Sequence, residues 1–197
     1  GGDSDSGDGA GILCSIPWKY LDEKMNLKNE KDFDRGLGMV FMPNKKEKIE
    51  ECKLICDQEA EKLKIDNTSW RTVPVNNEIL GPLAKANAPF ISQWILHIDK
   101  KDNYDVERLL FQLRKRIEKK IRETFKNNVG DCEFYFASLS SQTVVYKGMV
   151  RSEILSEFYQ DLKEESFKVS FSVYHRRFST NTLPKWPLAQ PMRFLGH

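Results

Sequence analysis

The sequence predicts an α+β fold built on a mainly antiparallel sheet. Two segments, about 45–64 and 104–126, carry apolar residues at three- and four-residue spacing, the mark of amphipathic helices. Shorter apolar runs bounded by Pro, Gly, Asn and Ser read as strands. The order is strands, helix, strand, helix, hairpin, short helices, strand, which is an α+β pattern. Each long helix must bury its stripe on a sheet, so layers with helices outside are expected.

Taken in order, residues 1–10 are small and acidic and read as a loop. Ile12 to Trp18 reads as a strand closed by Pro17. Residues 21–36 are charged and read as a surface connection. Leu37 to Met42 is a short buried strand, and Asn44 is the expected helix N-cap. In the first long helix, Ile49, Cys52, Ile55, Cys56, Ala60 and Leu63 form the apolar face. Trp70 to Val75 is extended, with Pro74 excluding a regular central strand. Leu80 to Ala86 is a brief helix. Phe90 to Ile98 is apolar with little alternation, a strand buried on much of both faces. In the second long helix, Val106, Leu109, Leu110, Leu113, Ile117, Ile121 and Phe125 form the stripe. Cys132 to Leu139 and Thr143 to Lys147 are two strands whose short link predicts an antiparallel pair. Phe167 to Tyr174 alternates with period two, placing Phe167, Val169, Phe171 and Val173 on one face.

Composition narrows the function classes. The chain has 197 residues, enough for one sizeable domain, with 40% hydrophobic and 30% charged residues. A formal net charge of +2 gives no general case for a nucleic-acid partner. No apolar run approaches the ~20 residues that span a bilayer. The polar start does not read as a signal peptide. Four scattered cysteines, Cys14, Cys52, Cys56 and Cys132, suit a reducing, cytosolic compartment. The ends, GGDSDS and PMRFLGH, read as a chain cut on both sides.

Several constellations invite a function. The helix at 104–126 carries Arg108, Arg114, Lys115, Arg116, Lys119, Lys120 and Arg122, but Glu107, Glu118 and Glu123 are interleaved. Opposite charges at helical spacing read as a solvated outer face. Cys52 and Cys56 share a helix face, yet no second His or Cys pair has ligand spacing, so they read as core and no metal is expected. Asn67-Thr68-Ser69 fits a glycosylation triplet, which has no meaning without a secretory route. Gly7 to Gly11 lacks the Lys-Ser/Thr of a phosphate loop and precedes a strand; it reads as a tight turn. His175, Arg176 and Arg177 close the last strand, and Phe178-Ser179-Thr180-Asn181-Thr182 follow. A guanidinium with hydroxyls and an amide beyond it can grip a carboxylate. It can equally bridge loop carbonyls, and both readings stay open on the residues alone.

GDGAGI (Gly7 to Ile12), GMVFMP (Gly38 to Pro43), WRTVPV (Trp70 to Val75), FYFASLSSQTVVYKGMV (Phe134 to Val150) and VYHRRFSTNTLPKWPLAQPMRFLGH (Val173 to His197) together resemble the amidotransferase domain of glutamate synthases. They run in that family's order along essentially the whole chain. The last stretch is the most specific, and Ile16-Pro17-Trp18-Lys19 with the 90–130 region resembles the ferredoxin-dependent branch. The resemblance implies a class II glutamine amidotransferase with the N-terminal-nucleophile αββα sandwich, residues 1–197 being a partial domain, incomplete at both ends. It implies a terminal cysteine whose thiolate attacks the glutamine amide, with the free α-amino group as base. Ammonia then passes to a distant site that makes glutamate from 2-oxoglutarate.

By the same resemblance, Arg177 pairs with the glutamine α-carboxylate. Phe178, Thr180 and Asn181 line that pocket, and Asp8 belongs to scaffold beside the nucleophile strand. No cofactor is expected within the chain; FMN and a 3Fe-4S iron–sulfur cluster would belong to other domains of the full-length enzyme. The implied partners are L-glutamine, the remaining synthase domains, and ferredoxin or an NADPH-dependent subunit as electron donor. Neither nucleic acid nor membrane is expected, and the location would be the cytoplasm or the plastid stroma. None of the four cysteines matches the nucleophile, and the family's Asn-Gly oxyanion pair would come just after His197. No catalytic residue is therefore expected within the chain, and it should be inactive alone. A competing reading is a noncatalytic interaction module that keeps the fold. Missing edge strands would leave an isolated fragment poorly soluble.

Overall fold

A computed structural model of the chain describes residues 9–27, 32–100, 105–125, 134–176 and 185–192. Its elements begin with β1 (Ala10–Ser15), α1 (Trp18–Met25), β2 (Phe33–Met42), α2 (Lys46–Glu61), β3 (Asn67–Thr72), α3 (Pro82–Ala86) and β4 (Phe90–Asp99). They continue with α4 (Val106–Thr124), β5 (Tyr135–Ser140), β6 (Thr143–Gly148), α5 (Leu155–Phe158) and β7 (Ser172–His175). The described residues within 1–27, 73–88 and 143–197 make one compact unit, and those within 28–72 and 89–142 make another.

The second unit holds a four-stranded sheet in the order β3-β4-β2-β5. The ten residues of β2 pair antiparallel with β4 along their whole length, from Phe33 opposite Asp99 to Met42 opposite Phe90. β4 is buried from Ile91 to Ile98, as its apolar run predicts. Helices α2 and α4 put the expected stripes into one core with Val40, Met42, Trp94, Leu96 and Phe136 of the sheet. Cys52 and Cys56 lie in that core, so their apolar reading holds. Asp57, at the helix edge, accepts hydrogen bonds from Thr68 Oγ1 (2.9 Å), Trp70 Nε1 (3.1 Å) and Trp94 Nε1 (3.0 Å). The two indoles stack 5.3 Å apart. α4 starts at Asp105, whose carboxylate caps the helix by accepting from Arg108 N at 3.2 Å.

Glu59 ties the two helices together. It is 6% exposed, and it accepts from Lys62 Nζ and from Arg116 Nε on α4, the latter at 3.0 Å. Burial works against its charge, but the hydrogen bonds from Lys62 and Arg116 outweigh it and hold the carboxyl below its usual range. A depressed folded pKa stabilises the fold above the unfolded value of about 4.3 and loses that stabilisation as pH falls through the folded value. Both partners are half exposed, so screening keeps the contribution near 1 kcal/mol. Glu59→Gln should lower the opening free energy of α2 and α4 amides in hydrogen exchange by about that amount at pH 7. The difference should close on acidification below the usual carboxylate range.

The first unit holds a three-stranded antiparallel sheet in the order β6-β1-β7. β1 pairs with β6 from Ala10 opposite Gly148 to Ser15 opposite Thr143. It pairs with β7 from Gly11 opposite His175 to Cys14 opposite Ser172. Tyr20, Leu21, Tyr146, Phe158, Tyr159 and Trp186 fill the interior.

Four local expectations change. Residues 21–36 are not one connection: Trp18 to Met25 is a helix that buries Tyr20 and Leu21, and β2 begins at Phe33. Its C-cap Asn26 sits in the left-handed region with φ 52°, a role that suits Asn. α2 is capped at Lys45 rather than Asn44, with no side-chain cap bond. β5 and β6 do not pair with each other; β5 joins β2 and β6 joins β1 in separate sheets. Glu107 explains the divergence, because its Oε1 accepts from Ser140 Oγ (3.0 Å), Ser141 N (2.6 Å) and Ser141 Oγ (2.7 Å). That clamp holds the link against the first turn of α4 instead of closing a hairpin. Finally, β7 spans only Ser172–His175. Phe167 packs edge-on against Tyr20 and Tyr146, whereas Phe171 and Val173 are 48% and 39% exposed.

Candidate functional site

Three glycines shape the start of the central strand β1 and the end of its neighbour β6. Gly9 has φ 96°, in the left-handed region open to glycine. A Cβ on Gly11 would meet the Gln190 carbonyl oxygen at 2.5 Å, Lys147 Cβ at 2.6 Å and the Tyr146 carbonyl oxygen at 2.8 Å. A Cβ on Gly148 would run into the Trp186 ring. These two glycines let the Lys185–Met192 segment lie directly on β1 and β6.

Polar contacts fix that segment. Lys147 is fully buried, and its Nζ donates to the Pro187 carbonyl at 2.8 Å and lies 3.7 Å from Met192 Sδ. Trp186 Nε1 donates to the Ala84 carbonyl at 3.1 Å, and the Trp186 ring packs 5.5 Å from Phe158. Tyr159 donates its hydroxyl to the Lys147 carbonyl at 2.7 Å. Burial pushes the Tyr159 phenol far up, so it stays a neutral donor. Asp161, also fully buried, accepts from Tyr20 (2.7 Å) and Tyr146 (3.1 Å). A carboxylate without those two donors would be costly to bury.

The predicted anchor Arg177 and its neighbours Phe178, Thr180 and Asn181 lie outside the described residues, as do Gly7, Asp8, Cys132 and His197. The described residues on either side of 177–184 both reach Gly11: His175 is its partner across β1 and β7, and the Gln190 carbonyl packs on its α-carbon. Arg176 is exposed and pairs with Glu153 at 3.4 Å. Lys147, Tyr159 and Asp161 were not singled out from the sequence. The available signal was a lysine ending the apolar run TVVY, which a fully buried strand tolerates only with a partner.

The cysteines bear on chemistry. Cys14 is fully buried on β1, and burial pushes its thiol up to about 12. Cys56 is raised well above the ordinary value, first by burial and then by the charge of Asp57. Nucleophilic cysteines need the opposite, a lowered pKa and access. Among the described residues, no group of three His, Cys, Asp or Glu could hold a metal ion, and no helix is long and apolar enough to cross a membrane.

The family model for class II glutamine amidotransferases matches residues 1–197. The chain belongs to that family. It is 47% identical over its full length to the chloroplastic ferredoxin-dependent glutamate synthase of Oryza sativa subsp. japonica. It is 45% identical over its full length to ferredoxin-dependent glutamate synthase 1 of Arabidopsis thaliana, named chloroplastic/mitochondrial. Over 99% of its length it is 46% identical to ferredoxin-dependent glutamate synthase 2 of Synechocystis sp.. The chain spans 12% of the length of each of these relatives. The resemblance carried by GDGAGI and RFSTNT is thereby borne out, down to the ferredoxin-dependent branch. So is the α+β class: the amidotransferase family has the N-terminal-nucleophile fold, and both sheets of this chain are antiparallel with helices interspersed.

Proposed function

We propose that residues 1–197 are part of the glutamine amidotransferase domain of a ferredoxin-dependent glutamate synthase. The domain releases ammonia from L-glutamine, and the ammonia converts 2-oxoglutarate to glutamate elsewhere in the same protein. The observation that carries the reading is the convergence on Gly11. His175 and Gln190, on either side of the RFSTNT stretch, both meet this one glycine of the GDGAGI stretch, which lies in β1 rather than in a turn. The GDGAGI stretch and the final stretch, the most specific of the resemblance, thus meet at this glycine.

In this reading Arg177 holds the α-carboxylate of glutamine with two parallel charge-assisted hydrogen bonds. Phe178, Thr180 and Asn181 line the same pocket, Thr180 offering a hydroxyl to the substrate's polar groups. The thiolate that attacks the amide carbon comes from outside residues 1–197: the resemblance matches none of the four cysteines to the nucleophile, Cys52 lies in the core, and burial keeps Cys14 and Cys56 protonated. Its attack forms a thioester as the carbon–nitrogen bond breaks and ammonia leaves; water then releases glutamate. The oxyanion donors likewise lie outside these residues. In the remainder of the enzyme, FMN and an iron–sulfur cluster would carry the electrons that ferredoxin supplies. The protein works in the plastid stroma of a photosynthetic eukaryote or in the cytoplasm.

The test has two arms. The full-length protein, given glutamine, 2-oxoglutarate and reduced ferredoxin, should form two glutamates for each glutamine consumed. The polypeptide of residues 1–197, given glutamine alone, should release no ammonia above buffer. Turnover by the short polypeptide would place the nucleophile within it and overturn the assignment; a full-length protein indifferent to glutamine would overturn the function.

A further inference from the structure

Lys147 on β6, Gly11 on β1 and His175 on β7 form one rung across the first unit's sheet. The chain leaves that rung at His175 and is caught again at Pro187, whose carbonyl accepts from Lys147 Nζ at 2.8 Å. Both ends of the stretch 176–186 are therefore tied to the same rung. The lysine is itself fixed at its main chain, where its carbonyl accepts from the Tyr159 hydroxyl at 2.7 Å. Its Cβ lies on the bare side of Gly11, beside the Gln190 carbonyl. Val144, Val145 and Tyr146 precede it, all as fully buried as the lysine. Burying an ammonium is costly unless its donors are used, and an apolar side chain of similar length would avoid that cost. Lys147 is fully buried by residues 1–197 alone, so further parts of the protein add to its burial.

We infer that Lys147 is a positioning residue for the glutamine pocket: its ammonium is the main hold on the 185–192 segment, and so fixes the far end of the stretch that carries Arg177. The inference rests on the reading of Arg177, Phe178, Thr180 and Asn181 as that pocket. The ammonium reaches the segment at two points, the Pro187 carbonyl and, at 3.7 Å, Met192 Sδ. It acts through the segment and not by touching glutamine. Without it the segment is detached in most molecules, and only the remaining fraction has a competent pocket. The apparent dissociation constant then rises by the inverse of that fraction. Saturating glutamine draws every molecule back to the closed form, so the KM rises and kcat holds. Losing a hydrogen bond from a charged donor shifts such an equilibrium by about tenfold or more.

The full-length protein, given 2-oxoglutarate, reduced ferredoxin and either glutamine or ammonia, tests it. Lys147→Met keeps the apolar stem and removes every donor. It should raise the glutamine KM about tenfold, with kcat and ammonia-dependent turnover within about twofold of wild type. Hydrogen exchange should speed over residues 185–192 and stay nearly unchanged over β1. Lys147→Arg keeps a charged donor and should bring the KM back toward wild type. An arginine variant no better than methionine would mean that packing holds the segment, and the proposal fails. It fails equally if Lys147→Met lowers glutamine-dependent and ammonia-dependent turnover together, since the lysine is then a strut of the fold. Arg177→Ala, assayed alongside, separates the positioning role from the pocket. A KM raised by Arg177→Ala but not by Lys147→Met overturns the role of Lys147 and leaves the pocket standing. A KM moved by neither overturns the pocket, and the role of Lys147 with it.

Discussion

Arg177→Ala in the full-length enzyme should raise the glutamine KM by about a hundredfold or more while ammonia-dependent glutamate formation stays within about twofold. A guanidinium gripping a carboxylate makes two parallel hydrogen bonds to a charged group, each contributing about 1.5–3 kcal/mol. Losing both removes about 3–6 kcal/mol of substrate binding, and each 1.4 kcal/mol is a factor of ten. Ammonia supplied directly bypasses the pocket, so its use measures whether the rest of the protein is intact. Arg177→Lys keeps the charge and loses the fork, and should fall between wild type and alanine. The competing role for this arginine, bridging loop carbonyls, predicts another pattern: the loop collapses and both activities fall together. The ratio of the two activities therefore decides between a substrate anchor and a structural strut.

What could be read from the sequence follows a physical division. The long helices were legible because six and seven apolar residues keep one spacing over fifteen and twenty positions, and every stripe residue expected on α2 and α4 packs in or against their shared core. The eight-residue α1 was missed because two buried side chains, Tyr20 and Leu21, are too few to establish a period. Strand pairing was misread at Ser140-Ser141-Gln142 because a short link says only that two strands are close in sequence. Glu107, thirty-three positions away from Ser140, decides which way they turn. The same limit applies at the candidate site. Lys147 and Pro187 lie 40 residues apart, and Tyr20 and Asp161 lie 141 apart, so no local pattern announces either bond. The RFSTNT stretch was legible only through family resemblance. Its residue types alone left both a carboxylate nest and a structural arginine open.

Gly11→Ala should speed hydrogen exchange of the β1 and β6 amides in the full-length protein by about a hundredfold, the equivalent of roughly 3 kcal/mol. The added methyl meets two carbonyl oxygens, Gln190 at 2.5 Å and Tyr146 at 2.8 Å, along with Lys147 Cβ at 2.6 Å. Backbone cannot swing aside as a flexible side-chain end can, so either β6 or the 185–192 segment must shift. Gly38→Ala on β2 is the matched control. Its methyl would meet only side-chain carbons of Leu139, Trp94 and Val40, at 3.4–3.5 Å, which is ordinary contact. Gly38→Ala should therefore change exchange little. If the 185–192 segment moves in Gly11→Ala, the glutamine KM should rise as well. Equal behaviour of the two alanine variants would mean that Gly11 does not clamp the segment. The convergence on which the glutamine pocket rests would then be lost even with the fold intact.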